Sequence, residues 1–157
     1  MTEAAASASG RSLVVIADGH PPTHRMLKEV LCQEPDLEVV GEAQDGHEAL
    51  ELCRRLRPEV ILIAARLPKM GSIEATRRIK RELPGTPVLV MNTLADPDHL
   101  LEALEAGASG YVLKRSGPQQ ICDAVRGALI GECPLDEDLT KRLLRRLADK
   151  ASNRSSS

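Results

Sequence analysis

Residues 58–68 carry the sequence Pro-Glu-Val-Ile-Leu-Ile-Ala-Ala-Arg-Leu-Pro. The stretch is apolar from Val60 to Ala65, and a proline stands at either end. A short continuous apolar run of this kind is typical of a strand buried on both faces of a parallel sheet. The stretch therefore predicts an inner strand of an α/β protein.

Four similar runs flank this one, and apolar residues at helical spacing separate them. Further strands are predicted at 13–17, 37–41, 88–91 and 111–113. Helices are predicted at 26–31, 49–56, 73–83, 100–106 and 121–129. Five strands, each followed by a helix, imply a doubly wound parallel sheet with helices on both faces and a flavodoxin-like strand order.

The sequence predicts one extra helix from about Leu135 to Lys150. Its acidic first turn suits the helix dipole, and an apolar stripe is expected to dock on the domain or on a second copy. That stripe consists of Leu139, Leu143, Leu144 and Leu147. Four basic residues are expected to form a solvated face, with DNA contact as the alternative: Lys141, Arg142, Arg145 and Arg146.

The expected organisation has four parts. Residues 1–11 are predicted to be a flexible tail, 12–131 an α/β domain, 132–150 a linker-type helix, and 151–157 a flexible Ser-rich tail. No apolar run has the length of a membrane span, and no secretory signal is recognisable, so a cytoplasmic protein is expected.

Composition narrows the possible functions. The 157 residues include one Tyr and no Phe or Trp, which argues against binding single-stranded nucleic acid by base stacking. The net charge of -2 argues against a dedicated nucleic-acid binder. The four cysteines have no paired spacing, so three buried thiols on helices and one loop thiol, Cys133, are expected instead of a metal site or disulfides.

Ligands of open parallel sheets bind beyond the carboxyl ends of the strands. Asp18, Ala64, Asn92 and Lys114 stand at those ends. The chain has no P-loop, no G-x-G-x-x-G and no G-x-S-x-G, so kinase, dehydrogenase and hydrolase functions are not expected.

The four histidines do not predict a metal site. His20 and His24 are four residues apart, but Pro21 and Pro22 come between them, so His20 is expected in a loop. His47 and His99 are expected to be solvated surface residues.

Three segments resemble the receiver domain of response regulators, particularly its NarL/FixJ-like subfamily. They are residues 14–21, 58–68 and 106–114, and the last reads Ala-Gly-Ala-Ser-Gly-Tyr-Val-Leu-Lys. The resemblance covers roughly residues 12–131 and implies a CheY-like fold within a two-component phosphorelay.

The resemblance also implies a phosphorylation pocket, from which this chain departs. Family receivers carry two acids after the first strand, an acceptor Asp at the end of the third, a Thr or Ser after the fourth and a Lys after the fifth. This chain keeps Asp18 and Lys114, whereas the second acid is Gly19 and the acceptor position is Ala64. Asn92 stands at the hydroxyl position, and the switching aromatic residue of the family matches Tyr111.

These departures predict a vestigial acidic pocket of Asp18, Gly19, Ala64 and Lys114 without phosphoryl transfer. Alanine has no nucleophilic oxygen, and Mg²⁺ usually needs more carboxylate ligands than Asp18 alone provides. No cofactor is therefore expected, and Mg²⁺ binding is expected to be weak or absent. An Asp18–Lys114 ion pair is predicted instead, and Asn92 is predicted to hydrogen-bond permanently at the switch.

The sequence thus predicts a non-enzymatic, non-phosphorylatable receiver module that acts through a protein partner or as a homodimer. The resemblance implies a role in transcriptional regulation. One alternative is the receiver portion of a NarL/FixJ-like transcription factor without its helix-turn-helix half. Another is weak DNA binding through the basic helix. The sequence does not select a dimer face.

Overall fold

The computed structural model describes residues 10–155 and contains one five-stranded parallel sheet. The strand order is β2-β1-β3-β4-β5, which confirms the predicted doubly wound topology. The strands are β1 (Ser12–Ala17), β2 (Leu37–Ala43), β3 (Val60–Ala64), β4 (Val88–Asn92) and β5 (Gly110–Leu113). All residues of β3, β4 and β5 are buried, as their unbroken apolar sequences require.

Six helices complete the fold. They are α1 (Pro21–Cys32), α2 (Gly46–Leu56), α3 (Ser72–Glu82), α4 (Pro97–Glu105), α5 (Pro118–Leu129) and α6 (Glu137–Ser155). Helices α1 and α5 pack with one face of the sheet, whereas α2, α3 and α4 pack with the other. Two apolar cores therefore enclose the sheet and fix the carboxyl ends of the strands at a common edge.

Local signals in the sequence explain where the helices begin and end. Asp45 accepts a hydrogen bond from the amide of Glu48 and begins α2, and Asp96 does the same for α4 with the amides of Asp98 and His99. Gly107, with a φ of +105°, lets the chain turn back toward β5 after α4.

The predicted end of the C-terminal helix is wrong. Helix α6 begins at Glu137, where the Asp136 carboxylate accepts a hydrogen bond from the amide of Leu139, and it continues to Ser155. No proline or glycine follows Lys150, and Ala151 has the highest helix propensity, so nothing in the sequence stops the helix there. Residues 156–157 and most of the predicted N-terminal tail, residues 1–9, lie outside the described part of the chain.

The cysteine prediction is correct for three residues and wrong for one. Cys53 and Cys122 are buried and Cys133 lies in a loop, but Cys32 is exposed because it ends α1 on the solvent side. All four thiols are free. Within residues 10–155, no helix has both the length and the apolar character needed to cross a lipid bilayer.

Candidate functional site

Asp18 and Lys114 form the predicted ion pair at the carboxyl edge of the sheet. Asp18 follows β1 and Lys114 follows β5, and the Oδ2–Nζ distance is 2.8 Å. The other carboxylate oxygen of Asp18 accepts a hydrogen bond of 2.9 Å from the amide of His20. The side chains are 1% and 13% exposed, respectively, so the pair is largely withdrawn from water. Both carboxylate oxygens of Asp18 thus have protein donors.

Gly19 allows the chain to close around the start of α1. A Cβ atom at this position would lie 3.0 Å from the carbonyl oxygen of Gln44 and 3.3 Å from Cδ of Pro68. An acidic side chain at position 19 therefore requires these neighbours to move by a few tenths of an ångström. Gly19 therefore permits this close packing, and it also provides no carboxylate to the site.

Ala64 is the last residue of β3 and is 2% exposed. Its methyl group contributes to a cavity of about 220 Å³ at the strand ends, which Asp18 and Lys114 also line. The described residues contain no group of three or more His, Cys, Asp or Glu side chains arranged to hold a metal ion. The carboxylate of Glu59, the residue before β3, lies near the opposite edge of the sheet, where it accepts a hydrogen bond from the amide of Leu13. It therefore does not line this cavity.

A hydrogen-bonded chain of three side chains lies between β4, β5 and α4. The Nδ2 atom of Asn92 donates to the Tyr111 hydroxyl at 2.8 Å, and that oxygen lies 2.6 Å from Nδ1 of His99. We call Asn92, Tyr111 and His99 the relay. Tyr111 has no exposed surface, and Asn92 is 6% exposed, so the relay fixes an inward tyrosine side chain.

The relay has a defined donor direction. Because the Asn92 amide can only donate through Nδ2, the Tyr111 oxygen accepts there, and its own proton is available for a neutral Nδ1 of His99. Burial raises the pKa of the Tyr111 hydroxyl to about 12, so the phenol remains neutral near pH 7. The Oδ1 atom of Asn92 accepts from the amide of Leu94, which satisfies the buried amide side chain.

Comparisons with known proteins agree on one family. A family model described as the response regulator receiver domain matches residues 14–126. The chain belongs to the response regulator receiver family. The solved LuxR-family two-component response regulator from Aurantimonas sp. SI85-9A1 superposes on this receiver with a TM-score of 0.83 and 30% identity, covering 88% of this chain and 99% of the other.

Curated relatives of this receiver are longer proteins. The transcriptional regulatory protein LiaR of Bacillus subtilis is 38% identical over 140 residues, which are 89% of this chain and 66% of LiaR. A protein-glutamate methylesterase/protein-glutamine glutaminase of Myxococcus xanthus is 44% identical over 108 residues, 68% of this chain and 30% of that enzyme. Relatives of this receiver thus include both a transcriptional regulatory protein and a protein-glutamate methylesterase/protein-glutamine glutaminase.

His99 corrects one sequence prediction for this receiver. It was expected to be a solvated surface residue, but it is half-buried and contacts Tyr111. The spacing contained a weak signal, because His99 stands four residues before the buried Ala103 and so lies on the same side of α4. A side chain that is partly polar and partly apolar does not reveal from sequence alone whether that face is covered.

The remaining histidines of the receiver lie outside the relay. His20 is exposed in the loop before α1, as predicted, and His47 is exposed in the first turn of α2. His24 binds Glu42 through Nε2 at 2.8 Å, and Lys28 binds the same carboxylate at 2.8 Å. The hydrogen bond from Lys28 is the main reason why the pKa of Glu42 lies below its usual value, and the hydrogen bond with His24 acts in the same direction.

The C-terminal segment covers the edge of the sheet beside the relay. The amide of Tyr111 donates to the carbonyl of Pro134 at 2.8 Å, and the amide of Asp136 donates to the carbonyl of Tyr111 at 2.9 Å. Leu139 and Leu143 are buried in the same core as Tyr111. The sequence did not predict this pairing at the sheet edge, because the segment that pairs is irregular and forms only two backbone hydrogen bonds with Tyr111.

Two residues of the predicted apolar stripe of α6 dock on the domain. Leu139 and Leu143 are buried, whereas Leu144 is 60% exposed and Leu147 is 39% exposed in the single chain. That these two leucines dock on a second copy stays a prediction. The predicted basic residues all lie on the exposed surface of α6. Three of them form ion pairs: Lys141 with Glu137, Arg142 with Asp138, and Arg146 with Asp98 of α4, whereas no ion pair of Arg145 is found within residues 10–155.

Proposed function

We propose that this chain is a receiver module that accepts no phosphoryl group and acts through protein–protein contacts, as a binding partner or as a homodimer. The observation that carries this proposal is the apolar end of β3. Ala64 supplies a methyl group at the position where the family resemblance implies the acceptor carboxylate, and alanine cannot form an acyl phosphate.

The surroundings of Ala64 support the same proposal. Mg²⁺ requires several oxygen ligands in near-octahedral geometry, but both oxygens of Asp18 already accept from Lys114 and the His20 amide. Gly19 provides no second carboxylate. The residues present therefore do not fit a magnesium site, and phosphoryl transfer would lack both its acceptor and its electrostatic stabilisation.

We also propose that the relay keeps this receiver in one switch state. Receivers signal by shifting an equilibrium between conformations, and no ligand or modification is needed where the signalling state is already strongly favoured. In this chain Asn92 holds the buried Tyr111 without any added group. The face formed by α4 and β5 is then presented to a partner in a constant form.

Two roles in transcription are compatible with this module. The first is the role of the receiver portion of a longer transcriptional regulator. The match to LiaR supports this role, since this chain covers 66% of that protein. Direct DNA binding through α6 has weaker support, because three of its four basic residues are engaged with acids. A mobility shift that weakens steeply with salt would favour DNA contact by α6.

The decisive experiment is incubation of the protein with acetyl phosphate and Mg²⁺, followed by intact-mass measurement. A receiver with the acceptor aspartate serves as the positive control under the same conditions. We expect the mass of this chain to remain unchanged while the control gains one phosphoryl group. Labelling of any aspartate in this chain, at a level similar to the control, would overturn the proposal.

A further inference from the structure

Helix α6 exposes an apolar side chain among cations on the side that faces away from the domain. Leu139 and Leu143 are buried in the core, whereas Leu144 is 60% exposed. Side chains three and four positions apart share one side of a helix. By this spacing, four exposed residues form what we call the outer face of α6: Lys141, Leu144, Arg145 and Ala148.

The outer face has little compensation within the chain. Arg145 forms no ion pair within residues 10–155, and Lys141 lies 3.5 Å from Glu137 in a pair whose side chains are 61% and 87% exposed. Ion pairs that are this exposed contribute little. Nucleic-acid phosphates would bind the two cations but leave Leu144 in water. A protein surface that offers both carboxylates and apolar contacts fits the whole outer face.

A groove with this complementary chemistry lies between α5 and residues 132–138. Its volume is about 560 Å³, and its apolar lining includes Val112, Ala124 and Pro134. No lysine or arginine occurs among the described residues that line it. Its lining contains five carboxylates, those of Asp123, Glu132, Asp136, Glu137 and Asp138. The groove, which we call the acidic groove, is therefore suited to a cationic segment that also carries apolar side chains.

Few of the carboxylates in the acidic groove are firmly paired. Glu132 and Asp136 form no ion pair in the part of the chain that the structure describes. Asp123 lies 3.6 Å from Arg126, and Asp138 lies 3.1 Å from Arg142, but both acids are 66% exposed. Water screens such pairs, so they are weak. The acidic groove thus carries a negative charge, opposite to the charge of the outer face.

The acidic groove and the outer face follow each other along α6. Glu137 and Asp138 belong to the first turn of the helix, and the outer face begins at Lys141, one turn later. The helix is therefore acidic at its start and basic beyond it. When two such helices lie antiparallel, the basic part of each meets the acidic start of the other. A two-fold axis forms both contacts at once and closes the assembly.

We propose that the outer face of α6 docks in the acidic groove of a second copy, and that the second copy docks in the same way on the first. The result is a symmetric dimer with antiparallel α6 helices. The inference deepens the proposed function, on whose homodimer form it rests, because it names the surfaces that meet. Arg145 is attracted to the groove carboxylates, and Leu144 is withdrawn from water against the apolar lining.

The test is sedimentation equilibrium of the full chain across micromolar concentrations. We expect a monomer–dimer equilibrium that weakens as salt rises, because screening reduces the charge attraction. Arg145→Glu and Leu144→Ser are each expected to weaken dimerisation at least about tenfold. Arg55→Glu makes the same charge change at an exposed arginine of α2 and should leave dimerisation unchanged. Because all three residues are exposed, the variants retain the fold of the monomer, which urea denaturation checks.

A charge exchange separates a direct contact from a general effect of charge. Glu132→Arg alone is expected to weaken dimerisation, because it replaces a groove carboxylate by a cation. Combined with Arg145→Glu in one chain, it places an acid on the outer face and a base in the groove. Dimerisation of the double variant should then recover above that of either single variant. A double variant weaker than both single variants would contradict the contact.

A thiol cross-link tests the antiparallel arrangement. Cys133 is an exposed thiol next to Glu132 of the acidic groove. In a Cys32→Ser background, Ala148→Cys adds a second thiol on the outer face. Residues 137–148 span about 16 Å of helix, so a short bismaleimide does not join the two thiols within one chain. We expect a dimer that is cross-linked from position 148 of one copy to Cys133 of the other.

The proposal fails if the chain is monomeric at every concentration, or if Arg145→Glu and Leu144→Ser dimerise as strongly as Arg55→Glu. It also fails if cross-links join only position 148 of one copy to position 148 of the other, as parallel helices require. Arg55→Cys in the same background should give no cross-linked dimer. These results concern the α6 interface alone, whereas phosphoryl labelling of the wild-type chain defeats the proposed function.

Discussion

The vestigial pocket and the relay lie at the same edge of the sheet but differ in what they retain. In the pocket, Gly19 and Ala64 carry no functional group, and Asp18 is occupied by Lys114. In the relay, Asn92 and His99 both hold the Tyr111 hydroxyl, at 2.8 Å and 2.6 Å. The contrast fits the proposal of a receiver that accepts no phosphoryl group, while Asn92, Tyr111 and His99 remain connected by hydrogen bonds.

Restoring the missing acids is expected to produce the largest change. The double variant Gly19→Asp/Ala64→Asp supplies a nucleophile and a second carboxylate for Mg²⁺, so we expect acetyl phosphate to label it, as measured by intact mass. Gly19→Asp/Ala64→Asn is the matched control, since the amide has a similar size but no nucleophilic oxygen. A folded double variant that stays unlabelled would show that these two side chains do not account for the difference.

Breaking the ion pair is expected to have the next largest effect. Asp18→Ala leaves Lys114 without its carboxylate and the His20 amide without its acceptor, which should lower the free energy of unfolding by about 3 kcal/mol. Urea denaturation measures this loss. The control is Asp138→Ala, which removes an exposed pair with Arg142 and should cost less than about 1 kcal/mol. Equal effects of the two variants would contradict a buried structural pair.

Removing the relay amide tests the other region. Asn92→Ala takes a donor from the Tyr111 hydroxyl and an acceptor from the Leu94 amide, so we expect a loss of about 1–2 kcal/mol in unfolding free energy and a more accessible tyrosine. His99→Gln can still accept the phenolic proton and should have a smaller effect. If Asn92→Ala changed neither stability nor tyrosine exposure, the relay would have no role in fixing Tyr111.

High pH provides the smallest but most selective test of the relay. Burial raises the pKa of Tyr111 from 10.0 to about 12, so the stabilisation is complete below pH 10 and is lost as the pH rises toward 12. The loss at pH 11 is about 1 kcal/mol, and it should be missing from Tyr111→Phe. Cys53, whose pKa burial also raises to about 12, titrates in both proteins. Tyrosinate absorbance with a midpoint near 10 would contradict the buried environment.

The strands were predictable because burial on both faces leaves an unmistakable apolar run. The stretches at 13–17 and 60–63 lie within β1 and β3, and the strand order followed from the alternation with helices. The Asp18–Lys114 pair was predictable for a related reason, since the carboxyl ends of parallel strands meet at one edge.

The contacts of helix surfaces were not predictable in the same way. His99 and Cys32 were assigned the wrong exposure, and the sequence did not tell that Leu144 and Leu147 are exposed in the single chain while Leu139 and Leu143 dock on the domain. Each depends on which neighbouring element covers a given side of a helix, and apolar periodicity does not encode that choice. The end of α6 was missed because no breaker residue marks it.

Acrylamide quenching of tyrosine fluorescence, with and without acetyl phosphate and Mg²⁺, tests the central claim most directly. Tyr111 is the single tyrosine in a chain without tryptophan, so the signal reports the relay alone. The account predicts a strongly protected tyrosine whose quenching is identical in both conditions. An exposed tyrosine before treatment, or protection that appears only with the phosphodonor, would contradict a receiver held permanently in one switch state.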